Sequence, residues 1–151
     1  MKVHFLEDSW SDRHGVEEHQ DVTLVLEVLL QLRPQYDRAA LLAQITRQMA
    51  QGYQVVYVKS GDQVMGVAGF VVSDKLAWGK AIYIDDLVTA EQHRSKGVGE
   101  CLIDWLKTYA KEQGCKQLHL DSGVQRFAAH KFYLREGFHI ASHHFSMTEI
   151  K

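Results

Sequence analysis

The stretch HRSKGVGECL, His93 to Leu102, joins two segments of different period. Upstream, AIYIDDLVT is β-rich, and a strand is expected from Lys80 to Thr89. Downstream, Leu102, Ile103, Leu106 and Ala110 recur at helical spacing, so a helix is expected from Val98 to Gln113 with Gly114 as its stop. The first backbone N–H groups of a helix have no intrahelical partner, and the helix dipole adds about half a positive charge there. Gly97 and Gly99 let the chain turn sharply and let an anion approach without a Cβ in the way. Arg94 and Lys96 add mobile charge. Such a loop suits a phosphate or pyrophosphate.

Two common phosphate fingerprints do not fit. A G-x-G-x-x-G dinucleotide loop meets Leu102 at its third glycine, and a P-loop wants its lysine after the glycines, not before them. Working outward, the first strand is expected at Lys2 to Glu7, followed by the loop SWSDRHG. A helix follows from Val16 to Leu32, with Val22, Val25, Leu26, Leu29 and Leu30 on its apolar face and Pro34 beyond its end. Asp37 is an N-cap candidate for a second helix that buries Leu41, Leu42, Ile45 and Met49 and stops at Gly52. YQVVYVK and QVMGVAGFVVS read as a hairpin across SGD. KQLHLDS is a fifth strand, VQRFAAHKFYLREG a helix, and FHIASHHFSMTEI one or two closing strands. The order β-α-α-β-β-β-α-β-α-β-β gives a mixed α/β fold, with helices flanking a mixed sheet and a right-handed parallel crossover between the fourth and fifth strands.

The 151 residues suit one domain, 1–151, with no linker or repeat to divide it. A formal net charge of −2 offers no general attraction for nucleic acid or anionic membrane, so any anion site is local. Cys101 and Cys115 are too few for a disulfide framework or zinc site and read as reduced, packed thiols. The start, MKVHFLEDSW, is too short and acidic for a signal peptide, and no apolar run approaches a membrane span. By exclusion, a cytoplasmic chain is expected.

RSKGVG after IYIDDLVT resembles the acyl-CoA signature [QR]-x-x-G-x-[GA] of the GNAT superfamily of N-acetyltransferases. AAHKFYLREGF resembles that family's later motif A-x-x-x-Y-x-x-x-G-F at Ala129, Tyr133, Gly137 and Phe138. The element order agrees with the family fold, whose fourth and fifth strands splay apart. The resemblance implies an acetyl-CoA-dependent N-acetyltransferase that acts by direct transfer to a primary amine, on a small molecule or a protein, in a ternary complex. It implies that Arg94, Ser95, Lys96, Gly97, Val98 and Gly99 hold the pyrophosphate of acetyl-CoA. Leu87, Val88 and Thr89 would pair with the pantetheine arm, and Tyr133 would protonate the leaving sulfur. A phenol, with an ordinary pKa near 10, is protonated at neutral pH and is suited to that task. Some relatives carry an acid on the fourth strand as general base. Asp85 and Asp86 both qualify; adjacent strand residues face opposite ways, and Asp85 is preferred without the alternation deciding it. Arg126 stands where the family often has asparagine, so it is a candidate for the cofactor phosphates, with Gln125 or Ser122 replacing the amide contact.

The lack of a basic face leaves out nucleic acid, the short apolar runs leave out a membrane span, and no metal is expected; the resemblance allows a homodimer through the C-terminal strands. His139 and His143 would lie about 13 Å apart along a strand, too far to share a metal unaided. His119 and His130 are weaker proton-relay candidates. Trp10, Arg33, Tyr36 and Trp78 flank the expected acceptor cleft. The alternatives are a non-catalytic acyl-CoA sensor or subunit, and a nucleotide-binding α/β protein outside the family. Retention of the glycine turn and Tyr133 argues against the first; the missing fingerprints argue against the second.

Overall fold

The computed structural model describes residues 1–7 and 16–151, and for residues 16–19 the backbone alone. Trp10 and the SWSDRHG loop lie outside the described residues. The chain divides into two compact units, Met1–His119 and Leu120–Lys151.

The first unit holds nearly all of a five-stranded mixed sheet in the order β1-β2-β3-β4-β5. Its strands are β1 (Lys2–Phe5), β2 (Tyr53–Ser60), β3 (Gln63–Lys75), β4 (Gly79–Thr89) and β5 (Gln117–Leu120), which ends at the first residue of the second unit. The first three pairings are antiparallel. β5 adjoins β4, and just before it the Lys116 N–H donates to the Lys80 carbonyl at 3.3 Å.

Helix α1 (Val16–Leu32) and α2 (Arg38–Met49) share one apolar cluster with one sheet face. Val25, Leu26 and Leu29 of α1 and Leu41 and Ile45 of α2 meet Tyr53, Val55, Tyr57 and Val67 there. Asp37 caps α2 as its side chain accepts from the Ala40 N–H at 2.7 Å. Leu42, expected in the core, is 37% exposed, because the apolar stripe of α2 is narrow and centred on Leu41 and Ile45.

Helix α3 (Val98–Glu112) packs on the other face, with Val98, Leu102, Ile103, Leu106 and Ala110 buried. A Cβ at Gly66 of β3 would overlap the Val98 side chain, so glycine there lets the start of α3 lie close on the sheet. At its far end Gly114 has φ +76, the Gly114 N–H reaches the Lys111 carbonyl, and the Cys115 N–H reaches the Ala110 carbonyl at 2.7 Å. This is a Schellman stop, and it leaves the Cys115 thiol buried.

The second unit contains α4 (Phe127–Arg135) and the irregular segment 138–151. The closing strands expected in FHIASHHFSMTEI are not formed. Alternation alone does not make a strand: a ladder partner and a face to bury are also required. Here residues 139–151 are exposed throughout, including Phe145, Met147 and Ile150.

Candidate active site

The site residues of the first unit lie along β4 and the loop that continues it. The β3–β4 register pairs Phe70 with Ile84 but Gly69 with Asp86, so Asp85 is an extra residue in a β-bulge. Regular alternation would put Asp86 on the face of Ile84. The bulge moves it to the opposite face, shared with Val71 and Tyr83 and covered by α1 and α2. This corrects the preference for Asp85 as the inward acid: it is Asp86 that lines a cavity of about 230 Å³, while Asp85 is exposed.

Asp86 is held from two sides. Arg33, immediately after α1, places Nε and Nη2 each 2.9 Å from Asp86 Oδ1. Its Nη2 also donates to the Asp85 backbone carbonyl at 3.1 Å, which clamps the bulge. The Tyr53 hydroxyl donates to Asp86 Oδ2 at 2.5 Å. Burial raises the Tyr53 phenol well above its ordinary value and the Asp86 charge raises it further, so it remains a donor. Burial also raises the Asp85 carboxyl, with the neighbouring Asp86 charge as the second cause.

Two of these features had no legible signal in the sequence. A Cβ at Gly69, the ladder partner of Asp86, would overlap the Tyr53 phenol. Gly69 therefore makes room for Tyr53 to lie on the sheet and reach Asp86. Both Tyr53 and Gly69 looked like ordinary strand residues. The far wall of the cavity comes from α2 and its approach, with Tyr36, Gln44, Ile45 and Gln48. Arg33 and Tyr36, expected near an acceptor cleft, do line the cavity. Trp78 does not; it stacks on His119 with ring centroids 3.5 Å apart, and Lys75 Nζ lies 4.6 Å above its ring.

Leu87, Val88 and Thr89 carry β4 onward, paired with Ala68, Val67 and Gly66. A short 3₁₀ turn, Glu91–His93, then leads to the glycine loop. Arg94, Ser95, Lys96 and Gly97 are exposed, whereas Val98 is buried. Gly97 is the N-cap of α3 at φ +78, and Ser95 also has a positive φ, +65. The N-cap is a glycine with no side chain to offer, and among the described residues the Val98, Gly99 and Glu100 N–H groups have no side-chain partner. An ideal Cβ at Gly97 would meet nothing within 4 Å: the glycine is needed for its backbone conformation, and the space beside it is open. These features fit an anionic group at the start of α3. His93, which opens the quoted stretch but was given no role there, is 7% exposed and its Nδ1 lies 3.4 Å from Lys96 Nζ, which tethers that lysine side chain.

Arg126 and Tyr133 lie in the second unit. Arg126 is exposed and precedes α4, where it provides no side-chain cap. Tyr133 sits in the last turn of α4, ended by Gly137 at φ +101. The Phe138 N–H donates to the Tyr133 carbonyl at 3.0 Å and the Gly137 N–H to the Leu134 carbonyl at 3.2 Å. The Phe138 ring meets the Tyr133 ring edge-on at 5.8 Å. The Y-x-x-x-G-F spacing is thus a Schellman motif with its apolar contact, and it fixes the tyrosine. Burial raises the Tyr133 phenol, opposed by the Arg126 charge.

His144 Nδ1 lies 3.5 Å from Asp121 Oδ2, and His130 Nε2 lies 2.7 Å from the Gly123 carbonyl. No three His, Cys, Asp or Glu side chains among the described residues form a metal cluster. No helix among them is long and apolar enough to cross a membrane.

A mixed sheet with a bulged fourth strand leading into an uncapped, glycine-turned helix is the framework of an acyl-CoA-dependent transferase. The sequence profile of the acetyltransferase (GNAT) family matches residues 10–138, and the chain belongs to that family. An uncharacterized N-acetyltransferase of Bacillus subtilis (strain 168) is 32% identical over 96 residues, 63% of this chain and 68% of that one. Other curated relatives are matched over less than half of their length. A GNAT family acetyltransferase of Staphylococcus aureus superposes with a TM-score of 0.75 at 14% identity, covering 98% of each chain. An aminoglycoside N-acetyltransferase in complex with CoA superposes at 0.76 with 14% identity, covering 98% of this chain and 93% of that one. Members of the family use acetyl-CoA, and acetyl transfer to an amine is the activity the named relatives support for this chain.

Proposed function

We propose that the chain transfers the acetyl group of acetyl-CoA directly to a primary amine within a ternary complex, as one catalytic domain. The observation that carries this reading is the course of β4. Its bulge puts Asp86 in a cavity, and three residues on, roughly 10 Å at strand rise, the strand ends and the chain passes through a 3₁₀ turn into the loop that opens α3. An acceptor site and an anion site are thus joined by one strand. The family match, running from 10 to 138, spans both compact units and supports a single domain.

Acetyl-CoA, when bound, supplies the acetyl group as a thioester. The Val98, Gly99 and Glu100 N–H groups hold its pyrophosphate, with Arg94 and Lys96 adding charge and Ser95 and Gly97 shaping the turn. Leu87, Val88 and Thr89 offer backbone groups to the amides of the arm, and Arg126 offers charge to the phosphates. Asp86, fixed by Arg33 and Tyr53, orients the acceptor ammonium. Asp86, the acid that lines the cavity, also accepts the proton the amine must lose before attack, while Asp85 lies exposed beside it. The new nitrogen–carbon bond forms as the carbon–sulfur bond breaks. Tyr133 Oη gives its proton to the departing sulfur, and the second amine proton restores the phenol. A raised phenol supports this role, since it is fully protonated at neutral pH.

The free thiols of Cys101 and Cys115 support a reducing, cytosolic setting. The exposed, alternating segment 139–151 supports pairing with a second copy as a homodimer. The test is release of free thiol from acetyl-CoA across a panel of amines, with Tyr133→Phe alongside. Amine-dependent release that collapses in the variant is expected. Acetyl-CoA binding without turnover on any amine would favour the sensor reading, and no binding at all would overturn both.

A further inference from the structure

We infer that the acceptor is a compact zwitterion, a primary amine that carries an anionic group a few bonds away. This deepens the proposed transferase reading and rests on it. Among the described residues the cavity offers two charged side chains, Arg33 and Asp86, and the rest of its described lining is neutral. A lone carboxylate would select simple cationic amines. Here the carboxylate is already compensated, so a monoamine entering as a cation would bring uncompensated positive charge beside a guanidinium. An amine bearing its own anion cancels both charges of the pair.

The pair need not break to admit such a ligand. Asp86 Oδ1 faces Arg33 and Oδ2 faces Tyr53, but a carboxylate has about four lone-pair positions, so acceptor capacity remains for an ammonium group. Arg33 uses Nε and Nη2, and among the described residues its Nη1 has no partner. Its side chain is 41% exposed while that of Asp86 is 15% exposed. The amine therefore goes inward to Asp86, and the anion stays outward on the open edge of the guanidinium. At about 230 Å³ the cavity suits a ligand of amino-acid size. A large polyamine would need several carboxylates, and among the described lining residues there is one. An amino carboxylate and an amino phosphonate share this chemistry, and the experiment separates them.

The test is kcat/KM at saturating acetyl-CoA, at the plateau of the pH profile, for matched acceptors: glycine against glycinamide, β-alanine against β-alaninamide, 2-aminoethylphosphonate against ethanolamine, and 1,3-diaminopropane. The anion-bearing member of each pair is expected to be favoured at least about tenfold. The carboxylate and phosphonate arms then show which anion is preferred. Arg33→Gln is expected to erase that preference and raise diaminopropane relative to the zwitterions, while Arg33→Lys keeps part of it. Both variants should bind acetyl-CoA like the wild type by calorimetry, which also shows that they fold. Equal or better use of the anion-free amines, or a preference that survives Arg33→Gln, overturns the inference and leaves the transferase intact. Failure to bind acetyl-CoA, or to acetylate any amine, overturns the transferase reading and this inference with it.

Discussion

The glycine loop before α3 and the bulge in β4 lie a few residues apart, yet they are built from different materials. The loop is made of backbone: two positive-φ residues, an uncapped helix start and open space beside Gly97. The bulge site is made of side chains gathered from distant elements, with Arg33 from the end of α1, Tyr53 from β2, Gly69 from β3 and Asp86 from β4. A ligand part that never varies can be met by local backbone geometry. A part that differs between enzymes of one fold is met by side chains that can change independently. The loop thus suits the common acyl donor, and the bulge cavity suits the particular acceptor.

The sharpest way to break this division is to remove a group expected to serve the chemistry alone. Tyr133→Phe should lower kcat by about 10²- to 10⁴-fold with acetyl-CoA affinity unchanged by calorimetry. A loss of affinity instead would make Tyr133 a binding residue. Next is the donor side. Gly97→Val forces a β-branched residue into a left-handed conformation, at a cost of about 1–2 kcal/mol, and acetyl-CoA should bind about tenfold more weakly, as titration calorimetry would show. Unchanged affinity would mean that the turn at φ +78 serves only the fold.

On the acceptor side, Tyr53→Phe removes a hydrogen bond to a charged partner, a class that contributes about 1.5–3 kcal/mol. Denaturant unfolding should show a loss of that order, and the acceptor KM should rise. The pH dependence has a definite sign. The Tyr53 phenol is raised in the fold, so its contribution is full below about pH 10 and is lost above it, as the phenol of the unfolded chain ionises. The stability gap between wild type and Tyr53→Phe should therefore be flat from pH 7 to 9 and narrow above that. The smallest effect belongs to Asp85. Its carboxyl is raised, so the fold disfavours its charged form, and the penalty appears as pH climbs above the ordinary carboxylate range. Asp85→Asn should raise the melting temperature slightly at pH 7, an exposed group being well screened, and not at pH 3.

The loop, Tyr133 and Gly137 were readable because each is a local device, a turn or stop set by residues a few positions apart. The helices were readable for the same reason: Asp37 caps α2, and the stripe on α3 is buried as spaced. Asp86 was not readable, because one extra residue in the ladder reverses the face that alternation assigns. The Gly69–Tyr53 fit depends on strand register, which no short stretch encodes. Arg33 was noticed beside the cleft, but its partnership with Asp86 spans 53 positions. The C-terminal alternation was misleading in the other direction. It promised strands where neither a ladder partner nor a buried face exists among the described residues.

The most direct test of the central claim is Asp86→Asn, measured by acceptor kcat/KM and acetyl-CoA dissociation constant in parallel. The account expects acceptor kcat/KM to fall about a hundredfold while acetyl-CoA binds as in the wild type. Weakened acetyl-CoA binding with acceptor kinetics unchanged would place the bulge on the donor side and contradict it.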